Sequence, residues 1–123
     1  PMTTLLPASD YLSIHVPHTE ETHDLLDAEA FDMMKEGAYL IQASRGGTVN
    51  EAALFTAIES GKLAGAAMDV YSEEPPERDD LRKLVEHPRV ITTPHIGAGT
   101  VEAKARIGDE VVKLAKAYLA PSA

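Results

Sequence analysis

Apolar and polar positions along the chain change period several times, and each change marks an element. From Tyr11 to Val16, apolar Leu12, Ile14 and Val16 alternate with polar neighbours, and Pro17 stops the run, which predicts a strand. Asp27 can cap a helix reaching about Glu36, with Phe31 and Met34 on one face and Gly37 as its stop. Ala38 to Ala43 (AYLIQA) is nearly continuously apolar and suits a strand buried on both faces. After the tight SRGG loop, Thr48 and Glu51 have capping-box spacing at the head of a helix to about Ser60, where Leu54 and Ile58 lie one turn apart. Ala64 to Val70 (AGAAMDV) reads as a third buried strand, whose small residues admit a close neighbour.

Ser72 to Asp80 is polar and carries Pro75 and Pro76, so it is a loop. A short helix follows over Leu81 to Glu86, then a fourth strand over Val90 to Thr93, ended by Pro94. Thr100 can cap a long helix to about Leu119, with Ile107, Val111, Leu114 and Tyr118 at helical spacing. The order β-α-β-α-β-α-β-α implies an α/β fold: a parallel sheet of about four strands with flanking helices and right-handed crossovers. Ligands of such sheets sit at the carboxyl ends of the strands. Four loops lie there: Pro17 to Thr19, Ser44 to Gly47, Tyr71 to Glu77 and His95 to Gly99.

The 123 residues make one domain's worth of chain. Apolar residues at 44% and charged residues at 25% are ordinary for a globular core with a charged surface. A net charge of −9 and no Trp disfavour a nucleic-acid backbone or base-stacking partner. No apolar run approaches the roughly 20 residues of a membrane span, so no membrane partner is expected. Zero cysteines exclude disulfides, thiolate catalysis and cysteine-held metals in this chain. With no visible secretory signal, a cytoplasmic setting is the expectation.

The residues able to do chemistry cluster in the four loops. Arg45, placed between a buried strand and Gly46–Gly47, could grip a carboxylate by two parallel hydrogen bonds; equally it could be a surface arginine of a β-to-α turn. His95 in TTPHIGAG could exchange protons, or be a loop histidine bonded to backbone. A carboxylate bonded to His95 would fix its tautomer, and Glu74, Glu73 and Glu77 of SEEPPE are all eligible. Asp69 could accept from a ligand amide at the crevice edge or cap the following turn. Gly97 and Gly99 lack the third glycine of a dinucleotide loop, since Glu102 stands at the sixth position. His15, His18, His23 and Asp24 have a spacing worth testing for metal, but a strand-plus-loop setting does not converge them, and no metal site is assigned. There is no G-x-S-x-G elbow and no Walker loop.

The segments SDYLSIHVPHTEETHDLLD, FDMMKEGAYLIQASRGGTVNEAAL, SGKLAGAAMDVYSEEPP and RVITTPHIGAGTVEA, in this order, resemble the NAD-dependent D-2-hydroxyacid dehydrogenases, especially their 3-phosphoglycerate dehydrogenase branch. The resemblance covers nearly all of residues 9 to 103. It implies catalytic roles for Arg45 on the substrate carboxylate and carbonyl, His95 as acid/base, and Glu74 as the partner of that histidine. It implies cofactor contacts from His15, Val16 and Pro17 near the adenosine. Ala43, Ser44, Arg45, His95, Gly97 and Ala98 would contribute along the cofactor, and Asp69 would lie near the nicotinamide carboxamide. The reaction implied is hydride transfer between NAD(H) and a D-2-hydroxyacid or 2-oxoacid such as 3-phosphoglycerate.

The chain departs from the family pattern at Gln42 (usually Asn), Thr48 (usually apolar), Asn50 (usually Asp) and His18 (often Leu). It also contains no G-x-G-x-x-G strand–helix unit and no substrate domain. Residues 1–123 therefore read as the second half of a Rossmann-type dinucleotide-binding domain, expected to be inactive alone and to bind NAD weakly or not at all. A first strand left at the sheet edge, and the final helix, are expected to promote self-association, with a homodimer as the simplest product. The alternative to a catalytic half-domain is a non-catalytic stand-alone α/β binding or assembly module.

Overall fold

The computed structural model describes residues 1–119. Four parallel strands, β1 (Tyr11–Ile14), β2 (Ala38–Gln42), β3 (Leu63–Met68) and β4 (Val90–Thr92), form one sheet in the order β1-β2-β3-β4. The crossovers are α2 (Ala28–Met33), α3 (Glu51–Glu59) and α4 (Asp79–Val85). A short α1 (Met2–Leu5) with a following 3-10 turn (Leu6–Ala8) precedes β1, and α5 (Val101–Leu119) follows β4. The alternation expected from the sequence is present, with most ends within a few residues.

The helices α2, α3 and α4 cover one face of the sheet. On that face, two rows of strand residues face the helices: Leu12, Leu40, Ala66 and Val90, then Ile14, Gln42, Met68 and Thr92. Phe31 of α2, Leu54 and Ile58 of α3 and Leu84 of α4 close over them, and all are essentially inaccessible. Each such side chain contributes roughly 1.5–3 kcal/mol on leaving water. Asp27 caps α2 as expected, accepting from the Ala30 N–H at 2.9 Å.

Three expectations need correction, and one element is added to them. First, β2 and β3 are not buried on both faces. The opposite row, Ser13, Ile41, Ala67 and Ile91, has no helix over it among the described residues, and Ile91 is 72% exposed. Tyr11 and Tyr39 stack on each other there (ring centroids 5.2 Å apart). Continuous apolarity records that a face is apolar, not that this chain covers it. Second, the Thr48–Glu51 capping box does not form. Asn50 caps α3 by accepting from Ala53 N–H (2.9 Å), while Thr48 and Glu51 turn to other partners. An Asn two residues nearer the helix competes successfully for the orphan amides. Third, α2 ends at Met33, short of Glu36. The added element, α1, was not anticipated: its four residues show no apolar period, yet the turn behind it delivers fully buried Leu6 to the core.

The apolar positions of α5 do exist at helical spacing, and Thr100 accepts from Ala103 N–H (3.1 Å) at its start. None of its residues is buried. No helix among the described residues is long and apolar enough to cross a membrane.

Candidate active site

Parallel strands deliver all four chemistry-bearing loops to the same edge of the sheet. At the end of β4, His95 adopts a backbone φ of 52°, a left-handed conformation uncommon for a residue with a β-carbon. Asp69, just past β3, holds it there. The Asp69 carbonyl accepts from His95 N–H (3.0 Å), and its carboxylate accepts from Ile96 N–H (2.9 Å), Gly97 N–H (2.8 Å) and the Thr93 hydroxyl. A β-carbon on Gly97 would come within 2.9 Å of Asp69 Oδ2, so glycine permits the clasp. Burial pushes the Asp69 carboxyl up, but the Thr93, Ile96 and Gly97 hydrogen bonds and the nearby imidazole charge together hold it below its ordinary value.

His95 Nδ1 lies 2.7 Å from Glu74 Oε2. The Tyr71 N–H donates to the other oxygen, Oε1, at 3.0 Å. Burial raises the Glu74 carboxyl, yet the His95 hydrogen bond, the Tyr71 N–H and the imidazole charge outweigh it and hold the group below its ordinary value. An ionised carboxylate only accepts, so Nδ1 carries the hydrogen and Nε2 is left to exchange a proton with a ligand. Among the three eligible glutamates, Glu74 alone reaches the imidazole. Glu73 instead accepts from the N–H groups of Glu77 and Arg78 (both 3.2 Å). The His95 side chain remains 48% exposed and Glu74 34%, so the pair is open to a ligand.

The Arg45 loop is built around Gln42, which is 1% exposed and fully bonded. Its Nε2 donates to Arg45 O (2.9 Å) and Thr48 Oγ1 (2.6 Å), and its Oε1 accepts from Ser44 N–H (3.2 Å) and Ser44 Oγ–H (2.8 Å). Thr48 Oγ1 donates in turn to Arg45 O (2.9 Å). The longer Gln side chain thus organises the loop. The Arg45 guanidinium is exposed and donates to the Ser44 carbonyl (2.6 Å), with no carboxylate partner among the described residues. A β-carbon on Gly46 would overlap the Tyr71 carbonyl oxygen, so the Arg45 loop lies backbone to backbone against the loop carrying Glu74.

Two hollows flank this junction. One of about 410 Å³ is lined by Tyr71, Glu74, Pro75, Thr93 and His95 among others. The other, about 330 Å³, is lined by His15, Val16, Pro17, Ser44 and Arg45, which gathers the expected adenosine stretch and the Arg45 loop into one groove. Ala43 and Asp69 meet in a smaller hollow on the open sheet face. Gly97 and Ala98 lie on the exposed loop after His95. Besides His15, which lines the groove with Arg45, the other histidines lie away from the Glu74–His95 pair. His15 bonds Ser13 (2.8 Å), and the His18 and His23 rings face each other at 5.5 Å, with His23 3.6 Å from Asp24. His87 is buried, accepts from Arg89 N–H at Nδ1 (3.1 Å) and therefore donates from Nε2 to Glu59 (2.8 Å), a packing role. Sequence reasoning missed the organising part of Gln42 and the true partner of Glu51; a buried polar residue at a strand's end was the available signal for the first.

Residues 1–97 match the family model described as D-isomer specific 2-hydroxyacid dehydrogenase, NAD binding domain. The chain is 46% identical over 117 residues to a D-3-phosphoglycerate dehydrogenase of Archaeoglobus fulgidus, covering 92% of this chain and 22% of that protein. It is 43% identical over 112 residues to a hydroxypyruvate reductase of Thermotoga maritima, covering 91% and 37% respectively. Among solved structures, a D-lactate dehydrogenase of Aquifex aeolicus complexed with NAD and lactic acid superposes with a TM-score of 0.84 at 36% identity, covering 96% of this chain and 39% of that one. The chain therefore spans only about a fifth to just over a third of the curated relatives it matches. Fold, motif order and family model agree, and the chain belongs to the NAD-binding domain family of the D-isomer-specific 2-hydroxyacid dehydrogenases.

Proposed function

We propose that this chain carries the proton-transfer and substrate-gripping residues of an NAD-dependent D-2-hydroxyacid dehydrogenase. The observation that supports this best is the Glu74–His95 pair, 2.7 Å apart at the carboxyl edge of the sheet, beside a loop that presents Arg45. The residues fit a nicotinamide cofactor in one respect that can be counted. Asp69 Oδ1 already accepts two hydrogen bonds, but Oδ2 accepts one and keeps a lone pair for an amide. NAD, when bound, supplies a hydride acceptor or donor. In the reducing direction, His95 gives its Nε2 proton to the oxygen that becomes the hydroxyl. Arg45 holds the substrate carboxylate and stabilises negative charge on the same oxygen. In the oxidising direction His95 takes the hydroxyl proton, and Glu74 stabilises the imidazolium. The substrate is a small 2-hydroxyacid or 2-oxoacid, with 3-phosphoglycerate favoured by the relatives.

By itself the chain offers no glycine-rich pyrophosphate loop, and we expect weak or no NADH binding and no turnover. The test is an NADH fluorescence titration with Asp69→Ala as control, then 2-oxoacid reduction with and without a polypeptide supplying the glycine-loop half. Turnover that appears with the partner and disappears in His95→Ala supports the reading. Turnover that survives His95→Ala overturns it in favour of a non-catalytic role for these residues.

The same reading includes self-association of the chain. Its support is an open apolar sheet face bounded by edge strand β1, and an amphipathic α5 with no buried residue. Light scattering at high micromolar concentration should show a dimer that Ile107→Asp with Val111→Asp dissolves. A strict monomer refutes it.

A further inference from the structure

Glu51 is a buried carboxylate that neither the helix cap nor the proposed chemistry uses. It opens α3, its side chain is 6% exposed, and a glutamine or leucine of similar size could fill the space. An ionised group in such a place costs several kcal/mol unless it is thoroughly bonded. Here it is. Its Oε1 accepts from Ser72 N–H (2.6 Å), its Oε2 accepts from the Ser72 hydroxyl, and the guanidinium of Arg78 stands 3.8 Å from Oε2. The α3 N-terminus adds a favourable dipole.

Ser72 and Arg78 bracket the segment that carries Glu74. Between them, Glu73 Oε1 gathers the Glu77 and Arg78 N–H groups and closes the loop on itself. Arg78 is further fixed by Asp80, whose oxygens lie 3.2 Å from Nε and Nη2. One carboxylate on a rigid helix thus ties both ends of the Glu74 loop. His95 is held from the other side by Asp69, on a different strand end.

We propose that Glu51 is a positioning residue for the acid/base pair, acting through Ser72 and Arg78 to place Glu74 against His95. This rests on the reading of Glu74–His95 as that pair. Glu51 lines neither the hollow beside His95 nor the groove beside Arg45.

The test follows the Glu74 side-chain carboxyl by carbon-13 NMR across an acid titration of the full 123-residue chain. His95→Ala removes the imidazole and sets the upward displacement of the Glu74 midpoint for a fully broken pair. Glu51→Asp keeps the charge and the helix terminus but shortens the reach by one methylene. It is expected to displace Glu74 upward by at least half that amount. Glu51→Gln keeps the length and the Ser72 bonds but not the ion pair with Arg78, and is expected to fall between the original midpoint and that of Glu51→Asp. Leu54→Ala, a core change on the same helix, should lower the melting temperature and leave Glu74 where it was. A folded Glu51→Asp chain with an unmoved Glu74 overturns the proposal, as does a Glu51→Gln chain displaced as far as Glu51→Asp. If Glu51→Asp does not fold, Ser72→Ala takes its place: upward displacement supports the tether and none overturns it. If His95→Ala itself leaves Glu74 unmoved, the pairing is at fault and the tether falls with it.

Discussion

Gln42 and Thr48 should behave as one unit, and a double-mutant cycle measures it. Gln42→Leu removes four side-chain hydrogen bonds at a site 1% exposed. At roughly 0.5–1.5 kcal/mol net apiece these amount to about 2–6 kcal/mol. Apolar burial of the leucine returns part, for a net loss of about 3 kcal/mol. Thr48→Val leaves one Nε2 hydrogen of a buried amide without a partner, which costs about 2 kcal/mol. The double variant removes the Nε2–Oγ1 bond only once, so it should be milder than the sum by about 1–2 kcal/mol. Urea unfolding of the four chains gives the cycle, and thermal melting is a second reading. At about 4 °C per kcal/mol for a chain of this size, Gln42→Leu should melt about 12 °C lower. Additivity within about 0.3 kcal/mol, or a loss under about 1 kcal/mol for Gln42→Leu, would refute the view that this network fixes the Arg45 loop.

Gly46→Ala should cost about 3 kcal/mol or more, because its β-carbon would overlap the Tyr71 carbonyl, and backbone cannot rotate away; an unchanged melting temperature would show that the two loops do not touch. Asn50→Ala should cost about 1–2 kcal/mol, more than Asp27→Ala at about 1 kcal/mol, since Asn50 both caps α3 and donates to Asp24 (3.0 Å); equal losses in urea would discount the Asp24 contact. Asp69 is held below its ordinary value of 3.8, so its contribution is complete above that pH and disappears as pH falls through the lower folded value. Asp69→Asn should flatten that acid-side slope in urea unfolding between pH 5 and pH 2, and a slope identical to the parent's would remove Asp69 as its source.

The fold class was legible because alternation and capping are local. Leu12, Ile14 and Val16 mark a strand by themselves, and Asp27 marks a helix start three residues from the amide it binds. Positions of the candidate site followed, since a parallel sheet sends every β-to-α loop to one edge. Pairings that span many residues were not legible. Glu51 reaches Ser72, 21 residues on, and nothing local separates that from a capping box. The choice of Glu74 over Glu73 and Glu77 likewise depended on which one the turn after Tyr71 aims at His95. The open sheet face was hidden for a related reason. Tyr39, Ile41 and Ile91 read as buried positions because their residue types suit burial, whereas exposure depends on what packs over them.

The departures from the family pattern become intelligible in pairs. A glutamine at position 42 has its Nε2 on the hydroxyl at position 48, so the replacement of an apolar residue by Thr48 supplies the acceptor that the longer amide reaches. Asn50 donates to Asp24 Oδ2, where an aspartate would face another carboxylate and lose that bond to repulsion. His18 covers Gly47, whose β-carbon position lies 3.0 Å from the imidazole Nε2, so the ring occupies the space that glycine leaves. Each substitution taken alone looks like a loosening of the loop between Arg45 and α3. Taken with its partner, each makes a contact at or beside the segment from Arg45 to Asn50. The loop that presents Arg45 is therefore held by Gln42 with Thr48, by Asn50 with Asp24 and by His18 over Gly47, and a change at one member of a pair should be compensated only at the other.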